Sequence, residues 1–205
     1  MEMLRWVISL ISIRSSPNPL SWPFMVSKPI VKLFYPLDEF YEHNKSALPA
    51  VTPVAPEAVP EPQRRLLVHA FDMTPTLEEF HGGRIGIRVL SKRQSGDAYA
   101  RQVVLVLNAG QPVEFGGIII HLQHFPPAAR EQILEGKLPL GTILATHKIQ
   151  HKSSPLAFFR VTSDRVINEA LGLTGAHELY GRRNVLLDER GNVLANVVEI
   201  LPPAG

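Results

Sequence analysis

No cysteine occurs among the 205 residues. Its absence removes a disulfide framework, a thiolate nucleophile and any zinc site built on sulfur, and it fits a reducing cytoplasm. A surplus of one charge is also missing. Lys and Arg number 21 against 19 Asp and Glu, a formal net charge of +2, with no basic run of four or more. Basic residues so few in excess and so scattered make no phosphate-tracking stripe, and no nucleic-acid partner is expected. The apolar stretch Trp6 to Ile13 is far shorter than the roughly 20 residues a membrane-spanning helix needs. Arg14-Ser15-Ser16-Pro17-Asn18-Pro19 follows it without the small-residue cleavage site of a secretory signal. The expectation is a soluble, cytoplasmic protein with no stable membrane insertion, in which residues 1–24 reflect a start codon assigned upstream of Met25. Familiar phosphate, dinucleotide, nucleophile-elbow and zinc-helix signatures are absent as well, so no metal or cofactor is expected.

Apolar residues make up 45% of the chain and charged residues 20%, an ordinary globular balance for one domain of this length. Residues 47–62 hold five prolines in sixteen positions and no Lys or Arg. Proline fixes φ and lacks a donor, so an extended linker is expected over residues 47–63. It would separate an N-terminal segment, residues 1–46, from a domain spanning residues 64–205.

Within that domain, Arg64 to Ala70 reads as a strand. Thr74 and Pro75 suit the start of a helix that Gly82-Gly83 ends. Arg84 to Arg93 alternates as a strand, and Ala98 to Leu107 with Pro112 to Leu122 reads as a hairpin. Gly116-Gly117 inside the second arm predicts a bulge or a close approach to the backbone. A helix follows Pro126-Pro127 up to Gly136, a short one follows Pro139, and a strand covers Ala157 to Val161. A further helix spans Asp164 to Leu171, then a hairpin joins Glu178 to Leu187 with Asn192 to Leu201. Hairpins with segregated short helices describe an α+β antiparallel sheet.

Two charges fall inside these apolar strands. Arg101 shares its alternation with Val103, Leu105 and Leu107, and Glu199 sits within Val197 to Leu201. Burying an unpaired charge costs several kcal/mol, so such residues pair, face a ligand or lie at a half-exposed strand end. Arg101 and Glu199 satisfying each other in the core is one reading, and both facing a ligand is another. Of the histidines, His121 and His124 are three apart in a strand and should diverge. His147 and His151 are four apart but run into Ser153-Ser154-Pro155, which argues against a shared metal.

Asp72-Met73-Thr74, Arg101, Pro139-Leu140-Gly141, Tyr180-Gly181-Arg182-Arg183 and Glu199-Ile200-Leu201-Pro202, in that order and spacing, resemble chorismate lyase and its relatives. That family shows a Ser-Met-Thr, an arginine before an apolar strand, a Pro-Leu-Gly, a Trp-Gly-Arg-Arg and a terminal Glu-Leu-Phe-Leu-Pro. The resemblance covers about residues 64–202. It implies a mainly six-stranded antiparallel sheet with short helices packed on it and an internal ligand cavity. It also implies a cofactor-independent elimination of pyruvate from chorismate to give a hydroxybenzoate. By the same resemblance Arg101 holds a carboxylate, Glu199 lies near the hydroxyl or the departing ether, and Met73 and Leu140 line the site. Chorismate lyase has a second arginine where this chain has Gly116-Gly117, which leaves a second carboxylate without an obvious anchor. Arg182, Arg84 and Arg88 are the candidates to replace it. The chain also carries an extra segment around Ser163 to Gly175.

The competing reading is a non-catalytic module of the same fold that binds a small aromatic carboxylate. Effector domains of certain transcription regulators resemble chorismate lyase in this way. Residues 1–60 show no helix-turn-helix pattern, which favours a stand-alone enzyme or sensor. A third reading, an interaction protein, has only the proline-rich stretch behind it.

Overall fold

The computed structural model describes residues 32–108 and 110–204. The expectation for residues 1–24 lies outside them. The described chain forms helix α1 (Leu37–His43), strand β1 (Val51–Val54), helices α2 (Gln63–Leu67) and α3 (Met73–His81), and strands β2 (Ile85–Ser95), β3 (Ala98–Leu107) and β4 (Gln111–His121). Helices α4 (Pro127–Glu135) and α5 (Leu140–Thr146), strand β5 (Lys152–Thr162), helix α6 (Arg165–Leu171), and strands β6 (Glu178–Leu187) and β7 (Val193–Leu201) complete it. The strands build one antiparallel sheet in the order β1-β5-β6-β7-β4-β3-β2. This is the expected α+β arrangement with one more strand than the six anticipated.

The seventh strand comes from the stretch expected as a linker. Val51 to Val54 pairs with Val161 to Phe158 at the edge of the sheet. Pro53 is tolerated there because an edge strand leaves alternate donors unused. The segment before it is not separate either. Leu37, Phe40 and Tyr41 recur at helical spacing and are all buried, so α1 turns one apolar stripe onto the sheet. Phe34, Leu37 and Tyr41 join Phe115, Phe159, Val198 and Ile200 from the strands and Ile167 from α6 in one cluster. Tyr41 also donates a 3.0 Å hydrogen bond to Asp164 Oδ1, whose carboxylate caps α6 by accepting from Ile167 N. The compact unit therefore begins near residue 31 rather than at 64.

Arg64 to Ala70, expected as a strand, forms α2 and an irregular connection. A strand would send Leu66 and Leu67 to opposite faces, whereas both enter one apolar cluster with Met73 and Leu77 of α3. Helix α3 starts at Met73 with Asp72 in the extended N-cap position, two residues before the expected Thr74 cap and Pro75 start. Gly116 and Gly117 mark close approach. The register shift in the hairpin falls at Leu105/Val106 instead. A Cβ on Gly117 would lie 2.8 Å from Leu37 Cδ2, and one on Gly116 would lie 2.5 Å from the Val198 carbonyl oxygen. Thus α1 and α6 cover one face of the sheet, and α2, α3, α4 and α5 pack toward the other.

A chain beginning at Arg64 loses α1 and β1 and uncovers the cluster around Phe115 and Phe159. Circular dichroism should show no cooperative thermal transition for it, where the full chain shows one. Leu37→Ala, at a side chain with no exposure, should cost roughly 2–5 kcal/mol in urea unfolding.

Candidate functional site

A cavity of about 70 Å³ lies between the sheet and the starts of α3 and α5. Met73, Arg101, Leu140 and Glu199, the four residues expected to form a site, all line it. Strand alternation explains the floor. Arg101, Val103 and Leu105 of β3 stand beside Ile118, Gly116 and Glu114 of β4, and Glu199 of β7 lies opposite Gly116. The roof is Asp72-Met73-Thr74 and Pro139-Leu140-Gly141. Gly141 lets the two helix starts close: a Cβ there would sit 3.1 Å from Thr74 Oγ1. His151 ties down the roof, its Nε2 2.9 Å from Asp72 Oδ2. The bond to Asp72 is the main cause that raises the His151 pKa. His147 turns away to Gln132 Oε1 at 3.1 Å, so the two histidines hold different partners.

Arg101 is 1% exposed. Its Nη2 donates to the Leu138 carbonyl at 3.3 Å, while Nε and Nη1 have no partner among the described residues. Burial pulls its pKa down to about 10, which leaves the guanidinium charged at neutral pH. A buried cation with two idle donors is costly unless something anionic meets it.

Glu199 does not meet it. Arg182 Nε donates to Glu199 Oε2 and Nη2 reaches Oε1 at 3.4 Å, a buried pair between β6 and β7. The same guanidinium donates to the carbonyls of Leu67, His69 and Phe71 at 3.2, 3.1 and 3.3 Å. The reading in which Arg101 and Glu199 satisfy each other is therefore overturned: β4 stands between their strands, whereas Arg182 on β6 lies directly opposite Glu199 and takes it. None of the three arginines weighed as a second anchor is free in the cavity. Arg182 is fully engaged, Arg84 is exposed beside Glu78, and Arg88 donates to the Ala170 carbonyl on α6. Among the described residues lining the cavity, Arg101 is the one cation.

Glu114 is the site residue that sequence reasoning missed. It is 4% exposed, it lines the cavity, and its Oε2 has no partner among the described residues. Burial first, and then Glu199, raises its pKa well above the usual carboxylate range, with Arg182 opposing. The signal was available, since Glu114 interrupts an apolar strand as Arg101 and Glu199 do, but the neighbouring Gly116-Gly117 drew the reading.

A raised carboxyl makes stability depend on pH with a definite sign. Above the ordinary value of 4.5 the unfolded chain releases a proton that the folded chain still holds on Glu114, so stability falls as pH rises. Glu114→Gln has no such proton. Its stability relative to the parent chain should increase from about pH 5 to about pH 8 in urea unfolding; parallel profiles would show that Glu114 ionises normally.

No protein-family model matches the chain, and no curated protein sequence does. Solved structures of similar fold include the effector domain of PhnF from Mycobacterium smegmatis, at TM-score 0.49 and 13% identity over 63% of this chain and 87% of that one. A structure of PhnF from the same organism gives TM-score 0.49 and 13% identity over 82% of this chain and 86% of that one. The ligand-binding domain of a putative GntR-family transcriptional regulator from Bordetella bronchiseptica gives TM-score 0.43 and 14% identity over 58% and 90%.

Proposed function

We propose that this domain is a binding module for a small aromatic carboxylate, anchored by Arg101. The observation that carries the reading is the Arg101 guanidinium, buried at the cavity wall with Nε and Nη1 unpartnered. Nε and Nη1 lie on different edges of the planar fork, each edge shared with Nη2; with Leu138 taking one Nη2 hydrogen, a carboxylate accepts from the other Nη2 hydrogen and the idle nitrogen beside it through two parallel charge-assisted bonds. Met73, Val103, Leu140 and Leu144 supply apolar walls for a ring. The cavity as it stands has room for a few waters, so a ring enters as the starts of α3 and α5 move outward.

Binding without turnover is favoured over pyruvate elimination for two reasons. Chorismate carries two carboxylates, and the described lining offers one cation. Glu199, the acid that elimination would use, has both oxygens engaged by Arg182. Proton donation from Glu199 would first require breaking a buried ion pair, which is costly.

Isothermal calorimetry with 4-hydroxybenzoate tests the anchor. Arg101→Lys should weaken binding by about tenfold or more, because a point charge replaces a two-pronged donor. Unchanged affinity would sink the assignment. Purified protein with chorismate in chelator-containing buffer should release no pyruvate above the uncatalysed background; stoichiometric pyruvate and hydroxybenzoate would restore the lyase reading.

A further inference from the structure

Two buried carboxyl groups, Glu114 and Glu199, line the cavity, and the Arg182 guanidinium is paired with Glu199. Every nitrogen of Arg182 is committed to Glu199 or to the carbonyls of Leu67, His69 and Phe71. Among the described residues Glu114 is left with no cation of its own and an unpartnered Oε2. Two carboxyl groups beside one cation in an apolar wall retain a proton, because a second ionisation leaves an uncompensated buried charge. Arg182 holds Glu199 directly, so the proton belongs on Glu114, in line with its upward shift. A protonated carboxyl has one O–H to donate and one oxygen that accepts.

Position fits this chemistry to a ligand. Leu105 is in register with Glu114, and Arg101 precedes Leu105 on the same face of β3, a separation of roughly 13 Å along the strand. Both side chains enter the one cavity from its two ends. Gly116 lies between them, and a Cβ there would stand 3.3 Å from Glu114 Oε1, so the missing side chain keeps the floor open at the glutamate.

We propose that Glu114 is a specificity-determining contact, donating a hydrogen bond to an oxygen substituent on the ring opposite the carboxylate held by Arg101. The inference rests on the carboxylate-binding reading and adds to it a ligand class: aromatic monocarboxylates with a hydroxyl, ether or carbonyl oxygen at the far end. Glu199 cannot supply this donor, because its oxygens accept from Arg182.

Calorimetry on the full chain with benzoate and 4-hydroxybenzoate separates the two claims. The parent chain should prefer 4-hydroxybenzoate about tenfold, the effect of one buried hydrogen bond. Glu114→Gln retains a donor and should keep that preference within about threefold, whereas Glu114→Leu should bring the two affinities to within about twofold. A check on the ligand side needs no variant: the parent chain should favour 4-methoxybenzoate, which only accepts, over 4-ethylbenzoate of similar shape. A preference that survives Glu114→Leu, or equal affinity for the methoxy and ethyl compounds, overturns the role of Glu114. Benzoate that binds the parent and is weakened by Arg101→Lys would leave the anchor standing in that case. Failure of both benzoates to bind overturns the carboxylate-binding reading, and this inference with it.

Discussion

Arg182 has no exposure to solvent, and its donors end on Glu199, on the Leu67 carbonyl at the end of α2 and on the His69 and Phe71 carbonyls of the α2–α3 connection. The pair spans two neighbouring strands, and the carbonyl bonds fasten an irregular stretch of backbone that would otherwise lack partners. Removing either charge would leave the other buried and uncompensated, a loss of about 3–5 kcal/mol. This arrangement sets the character of the cavity. By taking Glu199 it denies Arg101 an internal counter-ion, and by having no donor left it denies Glu114 a cation. One end of the cavity is left short of negative charge and the other holds a carboxyl whose pKa burial raises.

The two faces of the sheet divide the work. On the closed face, Leu37 lies against the Gly117 backbone and Phe34 packs edge-on to Phe159. Close packing there holds β4 and β7 in the register that sets Glu199 opposite Gly116. On the other face, the roof rests on short helices and on the contact of His151 with Asp72. Met73 and Leu77 of α3 and Leu140, Ile143 and Leu144 of α5 belong to two separate apolar clusters, and the cavity lies where the two helix starts meet.

Much of the sheet was legible. Arms of alternating apolar residues bounded by turn residues gave β2, β3, β4, β6 and β7, because alternation reports directly on which side chains face a core. The elements that were misread follow from the same rule. Val51 to Val54 is too short and too proline-rich to show alternation, and it becomes a strand only because β5 offers an open edge. Arg64 to Ala70 has a strand-like composition, yet Leu66 and Leu67 share a cluster that only a helical turn can reach. Helix α1 has a clear stripe of Leu37, Phe40 and Tyr41, overlooked because the prolines after it read as a boundary.

The sequence by itself determined which charges are anomalous. Arg101 and Glu199 stand in strands whose alternation buries them, and Glu114 obeys the same rule. It also determined the glycines that let a carbonyl and a leucine approach β4. Only the tertiary structure decided how the charges are partnered. Pairing depends on which strands become neighbours and on a register exact to one residue, since a slip of one turns every side chain to the opposite face. Periodicity along a strand carries no information about the strand beside it. For that reason alternation could mark Arg101 and Glu199 as buried and the family resemblance could suggest one cavity for both, while Arg182 as the partner of Glu199, and Arg101 as the cation left over among the described lining residues, could not be read.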